Sequence, residues 1–166
     1  MAETEKTEKP NQMALASKVS KNVEISSVVL TSLHAERNTE DPFQNADIGI
    51  HAEAGSTRTE SNIVVEIDFT VRISAESDDT QIALIGCTHK LTYQLSGDPP
   101  DEIENECVEA FGKLNGLYNC WPYIREIIQS SLTRLGLPAF SLPVMTADRI
   151  LSVYDSSSAN ETESAD

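Results

Sequence analysis

Cys87 and His89 stand two residues apart in the run Gly86-Cys87-Thr88-His89, so on an extended strand both side chains leave the same face. A thiolate and an imidazole so placed could form half of a metal site, or pair as nucleophile and base. Nothing elsewhere completes either arrangement. His34, His51, Cys107 and Cys120 show no ligand spacing toward them, and a cysteine on an apolar strand face is more often inert than activated. Gly-rich phosphate loops, G-x-S-x-G, H-E-x-x-H and C-x-x-C are all missing from the chain. Asp78-Asp79 and the series Glu102, Glu104, Glu106, Glu109 read as a solvated turn and a solvated helix face, either of which a partner's basic patch could use. The sequence therefore names no catalytic residue, no metal ligands and no cofactor. A small-molecule-binding or enzymatic α+β domain using the Cys87 and His89 face stays as the rival reading.

Composition narrows the classes further. A net charge of −15 argues against a phosphate-binding surface, because nucleic acid and anionic membranes both attract Lys and Arg clusters. It leaves room for binders of basic or unfolded chains, and it keeps a protein dispersed if apolar surface is exposed. Cys87, Cys107 and Cys120 are an odd, unclustered set that implies no disulfide framework. No apolar run has the length of a signal peptide or a membrane span, so a cytoplasmic location is expected. Residues 1–17 and 155–166 are rich in Glu, Thr, Ser, Asn and Ala and are expected to stay disordered. Residues 18–154 are expected to form one domain.

The positioning elements are legible as alternations and stripes. Residues 19–33 are rich in Val, Ile, Ser and Thr with a change of phase, which predicts a long strand containing a bulge. The segment 34–47 carries Asn38, Asp41-Pro42 and Asn45 and reads as a crossover loop bearing Phe43. Ile48, Ile50, Ala52 and Ala54 make a weaker second strand that Gly55 ends. In the third, Ile63, Val65, Ile67, Phe69, Val71 and Ile73 alternate with mostly polar residues, as expected of an antiparallel sheet with one wet face. Glu76 to Thr80 is a hairpin loop, and Ala83, Ile85, Cys87, His89, Leu91, Tyr93 and Leu95 form one face of a fourth strand.

Beyond Ser96-Gly97-Asp98, Pro99 and Pro100 are expected to open a helix capped by Asp98. Ile103, Cys107, Phe111, Leu114 and Tyr118 keep helical spacing into Trp121, with Gly112, Gly116 and Pro122 predicting a break. Trp121, Ile124, Ile128, Leu132 and Leu135 then form the stripe of a helix over 121–135, stopped by Gly136 and Pro138. A short helix over 147–154 with Thr146 as its cap ends the domain. The fold class is α+β, a four-stranded antiparallel sheet followed by a long helix and a short C-terminal helix. Such a sheet is about 19 Å wide while one helix covers about 10 Å, so apolar area is left over and a symmetric oligomer is the usual remedy. Phe43, Phe140, Leu142 and Tyr154 lie on loops or the terminal helix, where they either plug the ends of the sheet or line an exposed apolar groove.

The run Trp121-Pro122-Tyr123-Ile124-Arg125-Glu126 resembles the aromatic-Pro-Tyr-x-Arg-Glu that starts the main helix of the SecB family of export chaperones. Leu137-Pro138-Ala139-Phe140-Ser141-Leu142-Pro143-Val144 is similar to that family's helix-connecting loop, and Pro42-Phe43-Gln44 to an aromatic-Gln of its crossover loop. The resemblance spans about residues 23–154. It implies an ATP-independent holdase, a homotetramer built as a dimer of dimers, whose clients are unfolded preproteins. By position, Phe43, Phe140, Leu142, Leu151 and Tyr154 would line the client groove, and Trp121, Ile124 and Ile128 would support the oligomer interface. The acidic positions that the family offers to SecA fall near Thr31 and Ala35, and its Cys-Pro-Asn segment appears as Gly116-Leu117-Tyr118, which puts SecA docking in question. SecB-like chaperones of toxin-antitoxin systems share the Pro-Tyr-Ile-Arg-Glu run, so an antitoxin segment is the alternative client.

Overall fold

A computed structural model describes residues 11–40, 45–96, 103–146, 148–150 and 152–154. The chain opens with α1 (Gln12–Ser20), where Asn11 Oδ1 accepts from the backbone N–H groups of Met13 and Ala14 at 3.1 and 3.4 Å. This corrects the expectation of disorder through residue 17 and of a strand from Val19. Ala16 and Val19, three apart, are buried, and a polar composition concealed this cap and its short apolar stripe.

Four strands follow: β1 (Val23–Arg37), β2 (Ala46–Arg58), β3 (Asn62–Ala75) and β4 (Gln81–Leu95). They form one antiparallel sheet in the order β1-β4-β3-β2. The phase change in β1 becomes two register shifts, at Ser26 and Thr31. Each hydroxyl turns onto β4, Ser26 Oγ donating to the Thr92 carbonyl (3.0 Å) and Thr31 Oγ1 to that of Thr88 (3.2 Å). β2 continues past Gly55 to Arg58 because its pairing with β3 is unbroken from Ala46↔Ala75 to Arg58↔Ile63. The β3–β4 hairpin turns through Asp79, at φ 56°, with Asp78 Oδ1 accepting from Thr80 N–H at 3.1 Å.

The helical layer is continuous, where a break was expected. α2 (Asn105–Phe111) passes through a π turn (Gly112–Gly116) into α3 (Leu117–Arg134). Glycine here serves close approach, since a Cβ on Gly116 would stand 2.7 Å from Val65 Cγ1 and one on Gly112 would collide with Ser56 Oγ. Pro122 lies inside α3 rather than in a first turn, and it offers no N–H to the carbonyl four residues before it. The expected cap at Asp98 and helix start at Pro99 lie outside the described residues. Among those residues no helix is long and apolar enough to cross a membrane.

The inward faces of β3 and β4 are buried as their alternation predicts. Trp121 meets Phe69 edge-on at 5.6 Å, and Phe111 meets Tyr93 at 4.8 Å. α3 ends at Gly136, φ +66°, whose N–H reaches the Thr133 carbonyl while that of Leu137 reaches Leu132. These are the paired bonds of a glycine-terminated helix, with Leu132 and Leu137 both buried at the stop.

Candidate functional site

The helix stop aims the chain at the sheet edge. Arg37, at the end of β1, donates from Nη1 to the Leu135 carbonyl (3.0 Å) and from Nε to that of Thr39 (2.8 Å), tying the C-terminal end of α3 to the sheet. Leu137, Pro138, Ala139 and Phe140 then pass over the start of β2, and together with Ala46, Ile48 and Ile73 they enclose a cleft of about 180 Å³. Its walls are almost wholly carbon. β2 is a terminal strand of the sheet, so the cleft opens beside an outer edge that pairs with no other described strand.

The site residues expected from the sequence divide at this loop. Phe140 lies half-buried in the cleft wall. Leu142 is a correction: it is buried in the core, because Trp121 Nε1 donates to the Pro143 carbonyl (2.9 Å) and Gln129 Nε2 to Ser141 Oγ (2.7 Å), folding the loop back along α3. Tyr154 packs half-buried at the far end, its hydroxyl donating to the Lys113 carbonyl at 3.1 Å, and burial pushes its phenol well up. Phe43 and Leu151 lie outside the described residues. Ala46, Ile48, Ile73, Pro138 and Ala139 were not singled out as site residues. Alternation placed Ile48 and Ile73 on apolar strand faces, and Pro138 and Ala139 lie in the loop after the main helix, but none of these signals says which residues border a cleft at the sheet edge.

Trp121, Ile124 and Ile128 are also placed differently from the interface role given them. All three are buried within the single chain against its own sheet. Much of the apolar surface left open lies on β1. Register puts Leu30 opposite His89 and Leu33 opposite Cys87, on the helix side of the sheet. Yet Leu30 and Leu33 are 42% and 48% exposed while their partners are 2% and 4% exposed. One helix reaches β4 and stops short of the edge strand. Tyr123, on α3 beside His89 at a ring distance of 6.2 Å, is exposed along the same margin.

Cys87 and His89 are themselves buried on that side of the sheet. Burial pushes the Cys87 thiol up to about 11, the Asp68 carboxylate adding to it, and burial holds the His89 imidazole below its ordinary value. Burial and then the neighbouring Cys87 push Cys120 up to about 12. Among the described residues no three His, Cys, Asp or Glu side chains gather as a metal site.

No protein-family model matches the sequence, and no curated protein sequence matches it. Solved structures do. The SecB-like chaperone Rv1957 of Mycobacterium tuberculosis, in complex with a ChAD peptide from the Rv1956 HigA1 antitoxin, aligns with a TM-score of 0.72 at 20% identity, over 80% of this chain and 97% of that one. A Streptococcus agalactiae protein of unknown function aligns at a TM-score of 0.33 and 14% identity, over 73% and 96% of the two chains. The fold of this chain is SecB-like, the four-stranded antiparallel sheet and long helix being common to it and the mycobacterial protein.

Proposed function

We propose that the protein is an ATP-independent chaperone of the SecB type, holding unfolded polypeptide by apolar contacts and backbone pairing without chemical turnover. The observation that carries this reading is the apolar cleft beside Phe140, opening onto the outer edge of β2. An extended chain can pair its N–H and C=O groups with that edge and place an apolar side chain in the cleft. Acidic charge keeps such a surface dispersed. Copies of the chain assemble as a homotetramer, a dimer of dimers in the cytoplasm, meeting on the uncovered margin of β1 and α3 where Ile25, Leu30 and Leu33 are exposed.

Unfolded preproteins bound for export are the first client class, with SecA as a possible receiver. An antitoxin segment is the second, favoured by the antitoxin peptide held by the mycobacterial protein of the same fold. A light-scattering assay of a denatured client, without nucleotide, tests the reading. Protein at or below the client's concentration suppresses aggregation, and Ala139→Asp, which sets a charge at the cleft, removes most of that protection. Aggregation that proceeds unchanged with the unaltered protein overturns it. Co-purification with preproteins and SecA, or with an antitoxin, separates the two client classes.

A further inference from the structure

A second cleft, of about 240 Å³, opens between α1 and the start of α3. Met13 and Ser17 line it from α1, Leu114 and Tyr118 from the π turn and α3, and no charged side chain is among its lining residues. Ser17 Oγ already donates to the Ala14 carbonyl at 2.8 Å. Asn115 is different. Its backbone carbonyl accepts from the Tyr93 hydroxyl (3.4 Å), but its side-chain amide has no hydrogen-bond partner among the described residues. The cleft is thus an apolar slot with one free donor and acceptor, and what fits it is an apolar ring with a polar tip. An apolar cavity of about 150 Å³ takes up benzene, so there is room for the ring. Met13 is exposed, and its unbranched side chain can adapt around it.

A ring of that kind stands on the cleft's own wall. Tyr118 is 59% exposed, and its phenol has no partner among the described residues. A two-fold axis beside Tyr118 brings each copy's ring to the other's cleft, so the surface carries both the knob and the hole that a self-complementary contact requires. Charge favours the same place. Copies of net charge −15 repel one another, and here no carboxylate lines the contact. The surface is also separate from the margin of β1. Five residues of helix leave Tyr118 about 140° round α3 from Tyr123, which lies on that margin. Four copies related by two-fold axes need two different two-fold contacts, and the β1 margin supplies one. Resting on the four-copy assembly read above, we propose that this cleft is the second, each copy's Tyr118 ring seated in its sister's cleft and its hydroxyl bonded to the Asn115 amide there.

Sedimentation of the full chain over a range of concentrations tests this. Tyr118→Ala weakens the association of two-copy units into four about tenfold or more. Tyr118→Phe and Asn115→Ala each weaken it about two- to tenfold, and together no more than either alone, because they remove the same bond. Ser17→Arg, which sets a charge in the cleft, acts like Tyr118→Ala. Copies carrying Tyr118→Ala mixed with copies carrying Ser17→Arg associate more tightly than either alone, since each mixed contact keeps one intact ring in one intact cleft. Two variants that are merely misfolded show no such rescue. A Tyr118→Ala protein of the parent's mass overturns the contact, and if its client protection has fallen the cleft belongs to the client instead. Loss of mass in both variants without rescue in the mixture overturns the exchange of rings. A parent of single-chain mass overturns this contact together with the assembly it rests on. A parent of four-copy mass that leaves client aggregation unchanged overturns the chaperone reading and not this contact.

Discussion

Gly116 shows how a single hydrogen atom sets the distance between the layers. A Cβ there would meet Val65 Cγ1 at 2.7 Å and Ile67 Cδ1 at 3.1 Å, and both side chains are fully buried. Gly116→Ala is expected to destabilise the fold by about 1–3 kcal/mol through overpacking, reduced by up to about 1 kcal/mol of helix propensity; a lowered urea midpoint measures it. Burial also governs titration. The folded state holds His89 below its ordinary 6.5, so it binds fewer protons than the unfolded chain as pH falls. Its stabilising share is whole above that pH and declines as pH drops below it. Urea midpoints of the parent should slope downward from about pH 6.5, and His89→Gln should flatten that segment. The three cysteines are buried, so a thiol reagent should label the native protein slowly and react fully only in denaturant.

At the scale of elements, the cleft proposed for the client depends on where α3 stops. Gly136 supplies the left-handed residue, and the Arg37 guanidinium fastens the last carbonyls to the end of β1. Arg37→Ala removes charge-assisted bonds and is expected to cost about 1.5–3 kcal/mol. Amide exchange should speed up locally over residues 135–140, and client protection should weaken with it. A fall in stability with no local change in exchange would show that Arg37 acts elsewhere. α1 is a comparable case, since Ala16 and Val19 bury themselves in the core and so dock the helix on the rest of the chain.

For the whole molecule, the governing quantity is area. The sheet is wider than its helical cover, and the excess emerges at both edges, as Leu30 and Leu33 on β1 and as Ile48 beside the cleft on β2. In the proposed reading the two edges take different partners, a sister copy on β1 and a client on β2. Leu33→Asp should lower the mass in solution, by light scattering, toward that of one chain, while Ala139→Asp should leave the mass unchanged and remove client protection. A Leu33→Asp protein that keeps the parent's mass would place the assembly surface elsewhere.

Strands β3 and β4, the stop at Gly136 and the apolar stripe of α3 were legible in the sequence because each repeats a local period or uses a residue with a special backbone. The SecB-like order of elements could be read from them for the same reason. Other features needed the folded chain. Leu142 and Phe140 are two apart on one loop with similar chemistry, and the bonds from Trp121 to Pro143 and from Gln129 to Ser141 fold the loop so that the first enters the core while the second stays at a cleft. Gly112 and Gly116 look like a break until Ser56 and Val65 are found against them. Periodicity reports which face of an element is apolar; what covers that face is a long-range matter, settled by register across the sheet and by how far one helix can reach.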